Sequence, residues 1–132
     1  MHDSSARVAN LILRSGLAFA FLYPPINAIS DPNAWIGYFP GFMYGILPDQ
    51  VLLHSFGFLE VLIALWILSG WRIFFPCAIA TLMLAAIVVF NVHNLQVLFR
   101  DVSIAAMALA LAMVSWRDEG RSRITREAPG VV

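Results

Sequence analysis

Leu52 to Gly70, LLHSFGFLEVLIALWILSG, is a stretch long and apolar enough to cross a bilayer, and it carries one carboxylate, Glu60, near its middle. About 20 residues rising ~1.5 Å each span ~30 Å, the thickness of the hydrocarbon core. A charged side chain at that depth costs at least ~2.5–3.5 kcal/mol on insertion scales. The rest of the chain must neutralise Glu60, hydrate it or use it. Composition fits a membrane setting: 61% of the 132 residues are hydrophobic and 12% are charged, against about 45–50% apolar and 25% charged in soluble domains. The length suits one domain. The formal net charge is zero, so no global field recruits nucleic acid.

Around this stretch the pattern predicts three more spans. The head up to Ala6 is polar and should fray. The first span covers about Val8 to Ile29; no small-x-small cleavage site ends it, so it reads as a membrane helix rather than a leader. Arg14 interrupts it, and Pro24-Pro25 should kink or end it near Tyr23. Ser30 to Gln50 is broken by Pro and Gly and rich in aromatics, among them Trp35, Tyr38, Phe39, Phe42 and Tyr44. Such aromatics favour the headgroup layer. The segment therefore reads as re-entrant or surface-lying, either an anchoring loop or a lid over a pocket. After the second span, about 52–70, the short turn Gly70-Trp71-Arg72 forces an antiparallel third span, about 73–92. The fourth covers about 97–116, with Asp101, Ala105, Ala108 and Ala112 on one face. The charged tail, about 117–132, should be extended or disordered.

The expected fold is thus all-α: one four-helix antiparallel transmembrane bundle with an aromatic re-entrant or interfacial segment between the first two spans. Arginine sets its orientation. With both termini inside, the inner side holds Arg7, Arg14, Arg72, Arg117, Arg121, Arg123 and Arg126, and the outer side only Arg100. That asymmetry follows the positive-inside rule.

The chemistry rests on charges in apolar surroundings. By rise per residue Arg14 lies ~9 Å from the inner end of its span and Glu60 ~15 Å from either face, a gap of ~6 Å that an arginine side chain can bridge. This predicts an Arg14–Glu60 pair, direct or through water. Arg100 and Asp101 are adjacent on a helix, so their side chains diverge by ~100° and each needs its own partner. Candidates on that side are His54, Asn27, Asn91, His93 and Asn94. Two readings stand side by side. In one, these groups form a polar plug that fixes helix register. In the other, they form a site in the outer half of the bundle, with Arg100 holding an anion or a quinone carbonyl and His54 or Glu60 moving protons. His54 and His93 could in principle ligate haem, or with Asp101 a metal, but no motif asks for either, and no metal site is assigned. Cys77 stands alone, which excludes an intrachain disulfide or dithiol and makes it a small apolar packing residue.

An arginine early in the first span, DPNAW after it, FLEVLIALWILSG around Glu60 and FRDVSIAAMALAL opening the last span together resemble the DoxX family of small four-helix membrane proteins. The similarity covers about Arg14 to Met113. It implies a four-helix bundle in a prokaryotic cytoplasmic membrane and a link to redox chemistry: the related DoxD protein belongs to a thiosulfate:quinone oxidoreductase, and other members associate with oxidative-stress enzymes. Arg14, Glu60, Arg100 and Asp101 match the family's charged positions. Pro24-Pro25 and Asn27 stand where relatives commonly carry a glycine and then a lysine.

Sequence and resemblance together give an accessory subunit of a membrane redox system that is no independent catalyst. Glu60 and His54 would handle protons; Arg100, Asp101, Asn27 and His93 would line a ligand site for which a quinone is the candidate. Its partners would be the bilayer and either another membrane protein or further copies of itself, and no nucleic acid. Two alternatives remain open: a scaffold packing through its alanine-rich fourth helix, and a small transporter component.

Overall fold

A computed structural model describes residues 2–127, and within them the fold is entirely helical. The long elements are α1 (His2–Ser30), α3 (Asp49–Ser69), α4 (Phe74–Phe90) and α5 (Leu95–Glu127). A short α2 (Asn33–Ile36) and a 3-10 turn (Gly41–Met43) lie between α1 and α3, and a second 3-10 turn (Val92–Asn94) joins α4 to α5. Three helices are long and apolar enough to cross a membrane, within Ser4–Ser30, Asp49–Ser69 and Val92–Glu127. The fourth, α4, is apolar but has 17 residues, or ~25 Å.

Each long helix turns one narrow stripe inward, and the stripes share a spacing of three and four. On α3 the stripe is Leu53, Gly57, Glu60, Ala64 and Ile67, all buried. On α4 it passes through Cys77, Ala80 and Leu84 to Asn91 just beyond the helix. On α5, Leu98, Ala108, Ala112 and Ser115 are buried, with half-buried Asp101 and Ala105 in register between them. On α1, buried Ala18, Phe21 and Ala28 alternate with half-buried Arg14 and Pro25. A repeat near 3.5 residues is the pattern of helices packed side by side at a shallow angle. The opposite faces are apolar and exposed, as at Phe19, Leu82 and Phe99. In lipid such faces gain nothing by burial, so close packing along the stripes holds the helices together.

The helices associate as two tight pairs, α1 with α3 and α4 with α5; the pairs meet through α1 with α5 and α3 with α4. This order puts α3 and α5 on a diagonal. Within the first pair Arg14 reaches Ile67 and Leu68, while Pro25 abuts Gly57, so the two helices run antiparallel. A Cβ on Gly57 would lie 3.0 Å from the Pro25 Cβ. The second pair closes at one end with Phe74 on Trp116, ring centroids 4.8 Å apart, and at the other with the Val92–Asn94 turn.

Several expectations change. α1 starts at His2 rather than near Val8, and it does not end near Tyr23; it stays helical through Pro24 and Pro25 to Ser30. The small Gly57 opposite Pro25 lets α1 and α3 approach closely there, so tertiary packing outweighs the local cost of the two missing donors. The stretch from Arg117 does not leave the helix: α5 continues to Glu127. Alternating Arg, Asp and Glu with only Gly120 as a breaker is compatible with a solvated helix. Residues 128–132 of the expected disordered tail lie outside the described residues. The alanine face of α5 is also not free for a partner, since Ala108 and Ala112 are buried in the chain's own core.

The aromatic connection folds across the end where α1 finishes and α3 begins. Trp35 packs edge-on against Tyr23, Phe39 against Phe56 and Phe42 against Phe90. It thereby touches α1, α3 and α4.

Candidate functional site

Besides the small hydroxyl of Ser115, the side chains of Arg14, Glu60, Asp101 and Asn91 occupy the inward stripes. Arg14 lies at the C-terminal end of α3. Its Nε donates to the Ile67 carbonyl at 2.9 Å, and its Nη2 donates to the Leu68 carbonyl. The Ser69 hydroxyl donates to the Trp66 carbonyl at 2.6 Å. Together these satisfy carbonyls that the end of a helix leaves without partners, where the negative end of the helix dipole favours a cation. Gly70 closes the helix with a φ of +78°, and a Cβ there would lie 2.8 Å from Arg14 Nη2. Glycine is thus required twice over, for the left-handed backbone and for room beside the guanidinium.

A direct Arg14–Glu60 ion pair is therefore not formed. Glu60 lies about two helical turns from Ile67, or ~10 Å along α3, and the guanidinium is committed to carbonyls at the helix end. The depth estimate was compatible with a pair, but it could not weigh Glu60 against free carbonyls at the same reach.

Glu60 is buried, 8% exposed, between Gly57 and Ala64 on its stripe. The charged group whose field reaches it is Asp101, half-buried on the inward stripe of the diagonal helix α5. Neither carboxyl makes a side-chain hydrogen bond among the described residues. Arg100, one residue away, is exposed while Asp101 is half-buried, as the divergence of neighbouring helical side chains requires. Two carboxyls are thus turned toward the bundle interior, one on α3 and one on α5.

At the aromatic end, Asn91 is 4% exposed and its Nδ2 donates to the Tyr38 carbonyl at 2.8 Å and to the Ile87 carbonyl at 2.9 Å. Asn27 accepts from Trp35 Nε1 at 2.9 Å, so its amide oxygen is engaged in holding the connection rather than open to a ligand. The Tyr44 hydroxyl donates to the Ile36 carbonyl. These bonds tie the connection to α1 and to the end of α4.

His54 and His93 are exposed. Six residues from Glu60, His54 falls on an outward face of α3 instead of the inward stripe, so the structure does not join it to the carboxyls; His93 sits in the turn before α5. Among the described residues no three His, Cys, Asp or Glu side chains converge as metal ligands. Cys77 is fully buried and packs with Leu17, Ile67 and Ala80 in the core cluster. Asn91, a candidate partner for Arg100 or Asp101 by sequence, instead ties the connection to α4; the spacing Cys77, Ala80, Leu84, Ile87, Asn91 is the signal that places it on the inward stripe.

The arrangement is a polar ladder inside an apolar bundle, in which Arg14 and Asn91 are spent on backbone carbonyls and Glu60 and Asp101 are not. In comparisons with protein-family models, curated proteins and solved structures, the chain matches none.

Proposed function

We propose that the chain is a four-helix antiparallel transmembrane bundle of a prokaryotic cytoplasmic membrane, both termini cytoplasmic, that serves as a DoxX-like accessory subunit of a quinone-linked redox system. The observation that carries this is Glu60, buried on the inward stripe of α3 while Asp101 lies half-buried on that of α5, with no side-chain hydrogen bond to hold it among the described residues. A polar group that served only to fix register would be satisfied in place, as Arg14 and Asn91 are. An ionisable residue inside a membrane domain points to function by default.

Reducing a quinone to a quinol takes two electrons and two protons. In this reading the electrons come from the redox centre of a partner oxidoreductase, and Glu60 and Asp101 pass the protons. Arg100, exposed near the aromatic end, is the group for the quinone oxygen. The orientation is supported by seven arginines toward one end and one toward the other. The aromatic connection then lies in the outer headgroup layer, with Trp35 and Tyr38 at the level such side chains favour.

The test is to purify the full chain in mild detergent and measure bound quinone and co-purifying proteins for the wild type, Glu60→Gln and Asp101→Asn. Quinone near one per chain, with an oxidoreductase whose quinone reduction falls at least tenfold in either variant, supports the reading. Unchanged turnover in both variants, with only assembly altered, would replace it with a scaffold. Flux through liposomes carrying the purified chain would replace it with a transporter.

A further inference from the structure

The inner end of the α4–α5 pair carries a cluster that the proposed function leaves unused. Arg72 sits in the turn before α4 with a φ of 45°, a left-handed backbone that few residues other than glycine adopt. Arginine is not chosen there for the turn, so its guanidinium needs another reason. That guanidinium lies over the Trp71 ring, 5.2 Å from the centroid. Trp71 in turn stacks on Trp66, whose Nε1 donates to the Trp71 carbonyl at 2.8 Å. Across the gap Trp116 packs on Phe74, which places Arg117 at the same end as Arg72. Trp116, Arg117, Asp118 and Arg121 line one shallow groove along α5, so the two guanidinia there outnumber a single carboxylate. Trp71 and Trp116 are 64% and 60% exposed. Arg72, Arg117 and Arg121 are exposed, and no described carboxylate pairs with them.

We propose that this end is a binding site for the headgroup of an anionic phospholipid, its phosphate held by Arg72 and Arg117 with Arg121 one turn beyond. Exposed tryptophans flanking unpaired guanidinia are what a headgroup level presents: the rings lie along the glycerol and upper acyl region while the cations meet the phosphate. Guanidinium forks suit phosphate oxygens. The site rests on the membrane reading, though not on the quinone reading. It gives the short α4 an anchor at its inner end, where a 17-residue helix falls short of the hydrocarbon thickness.

The experiment uses the full chain in detergent, titrated with phosphatidylglycerol or phosphatidylcholine and read by native mass spectrometry and by thermal stability. If the chain leaves membranes without detergent, the membrane reading fails before any titration begins. A basic residue near an anionic surface contributes about fivefold in affinity. Arg117→Gln should therefore lose about fivefold, and the double variant with Arg72→Gly about 25-fold, for phosphatidylglycerol alone. Arg72→Gly relaxes the left-handed backbone, so it should fold at least as well as the wild type while still losing lipid. Arg126→Gln, about two and a half turns beyond Arg117, should bind as the wild type does. Equal retention of both lipids, undiminished binding by Arg72→Gly, or displacement of the lipid by millimolar inorganic phosphate would overturn the proposal.

Discussion

Arg14→Met keeps most of the side-chain bulk on the inward stripe of α1 and removes the two hydrogen bonds to the Ile67 and Leu68 carbonyls. A hydrogen bond from a charged donor contributes about 1.5–3 kcal/mol, and a cation at a helix C-terminus a further ~0.3–1 kcal/mol. The bond to Leu68 lies at the exposed end of the helix, so it falls toward the neutral-bond value of about 1 kcal/mol. The sum is about 3–5 kcal/mol. Reversible unfolding of the purified chain in mixed detergent micelles measures it. Because the guanidinium is spent on α3 carbonyls and not on Glu60, a double-mutant cycle of Arg14→Met with Glu60→Gln should show coupling below ~0.5 kcal/mol. The same cycle with Gly70→Ala should couple more strongly, since the added Cβ falls 2.8 Å from Arg14 Nη2. A loss under ~0.5 kcal/mol for Arg14→Met, or coupling to Glu60 above ~1.5 kcal/mol, would refute the reasoning, since carbonyl capping predicts neither.

Two further outcomes test the packing. Leu17 is 1% exposed and Phe19, two residues on, is 67% exposed; Leu17→Ala should cost about 2 kcal/mol through the cavity it leaves, whereas Phe19→Ala should stay within ~0.5 kcal/mol because lipid takes the place of the ring. Similar losses at both positions would mean that α1 faces the wrong way. Asn91→Leu strips the Tyr38 and Ile87 carbonyls of their donor and should free the connection at a cost of about 1–2 kcal/mol. Limited proteolysis between residues 31 and 48 should then run roughly tenfold faster in Asn91→Leu, while cleavage at the wild-type rate would show that Asn91 does not hold the connection.

The apolar helices and the broken aromatic connection between the first two follow from the sequence alone, because hydrophobic runs, Pro-Gly punctuation and the turn at Gly70 act locally; the start of α1 and the end of α5 do not. Sequence also isolates the residues that matter, since Arg14, Glu60 and Asp101 stand out as ions in apolar runs. It could not assign their partners. A guanidinium at the level of the first span can choose between a carboxylate and the carbonyls of a helix end, and only the relative height of α1 and α3 decides that choice in favour of Ile67 and Leu68. In the same way Pro24 and Pro25 read locally as an ending, yet Gly57 across the interface gives α1 room to continue. That Glu60 and Asp101 both turn toward the bundle interior belongs to tertiary structure for the same reason. The two lie on helices distant in sequence and diagonal in the bundle, and no local period fixes the rotation of one helix against the other.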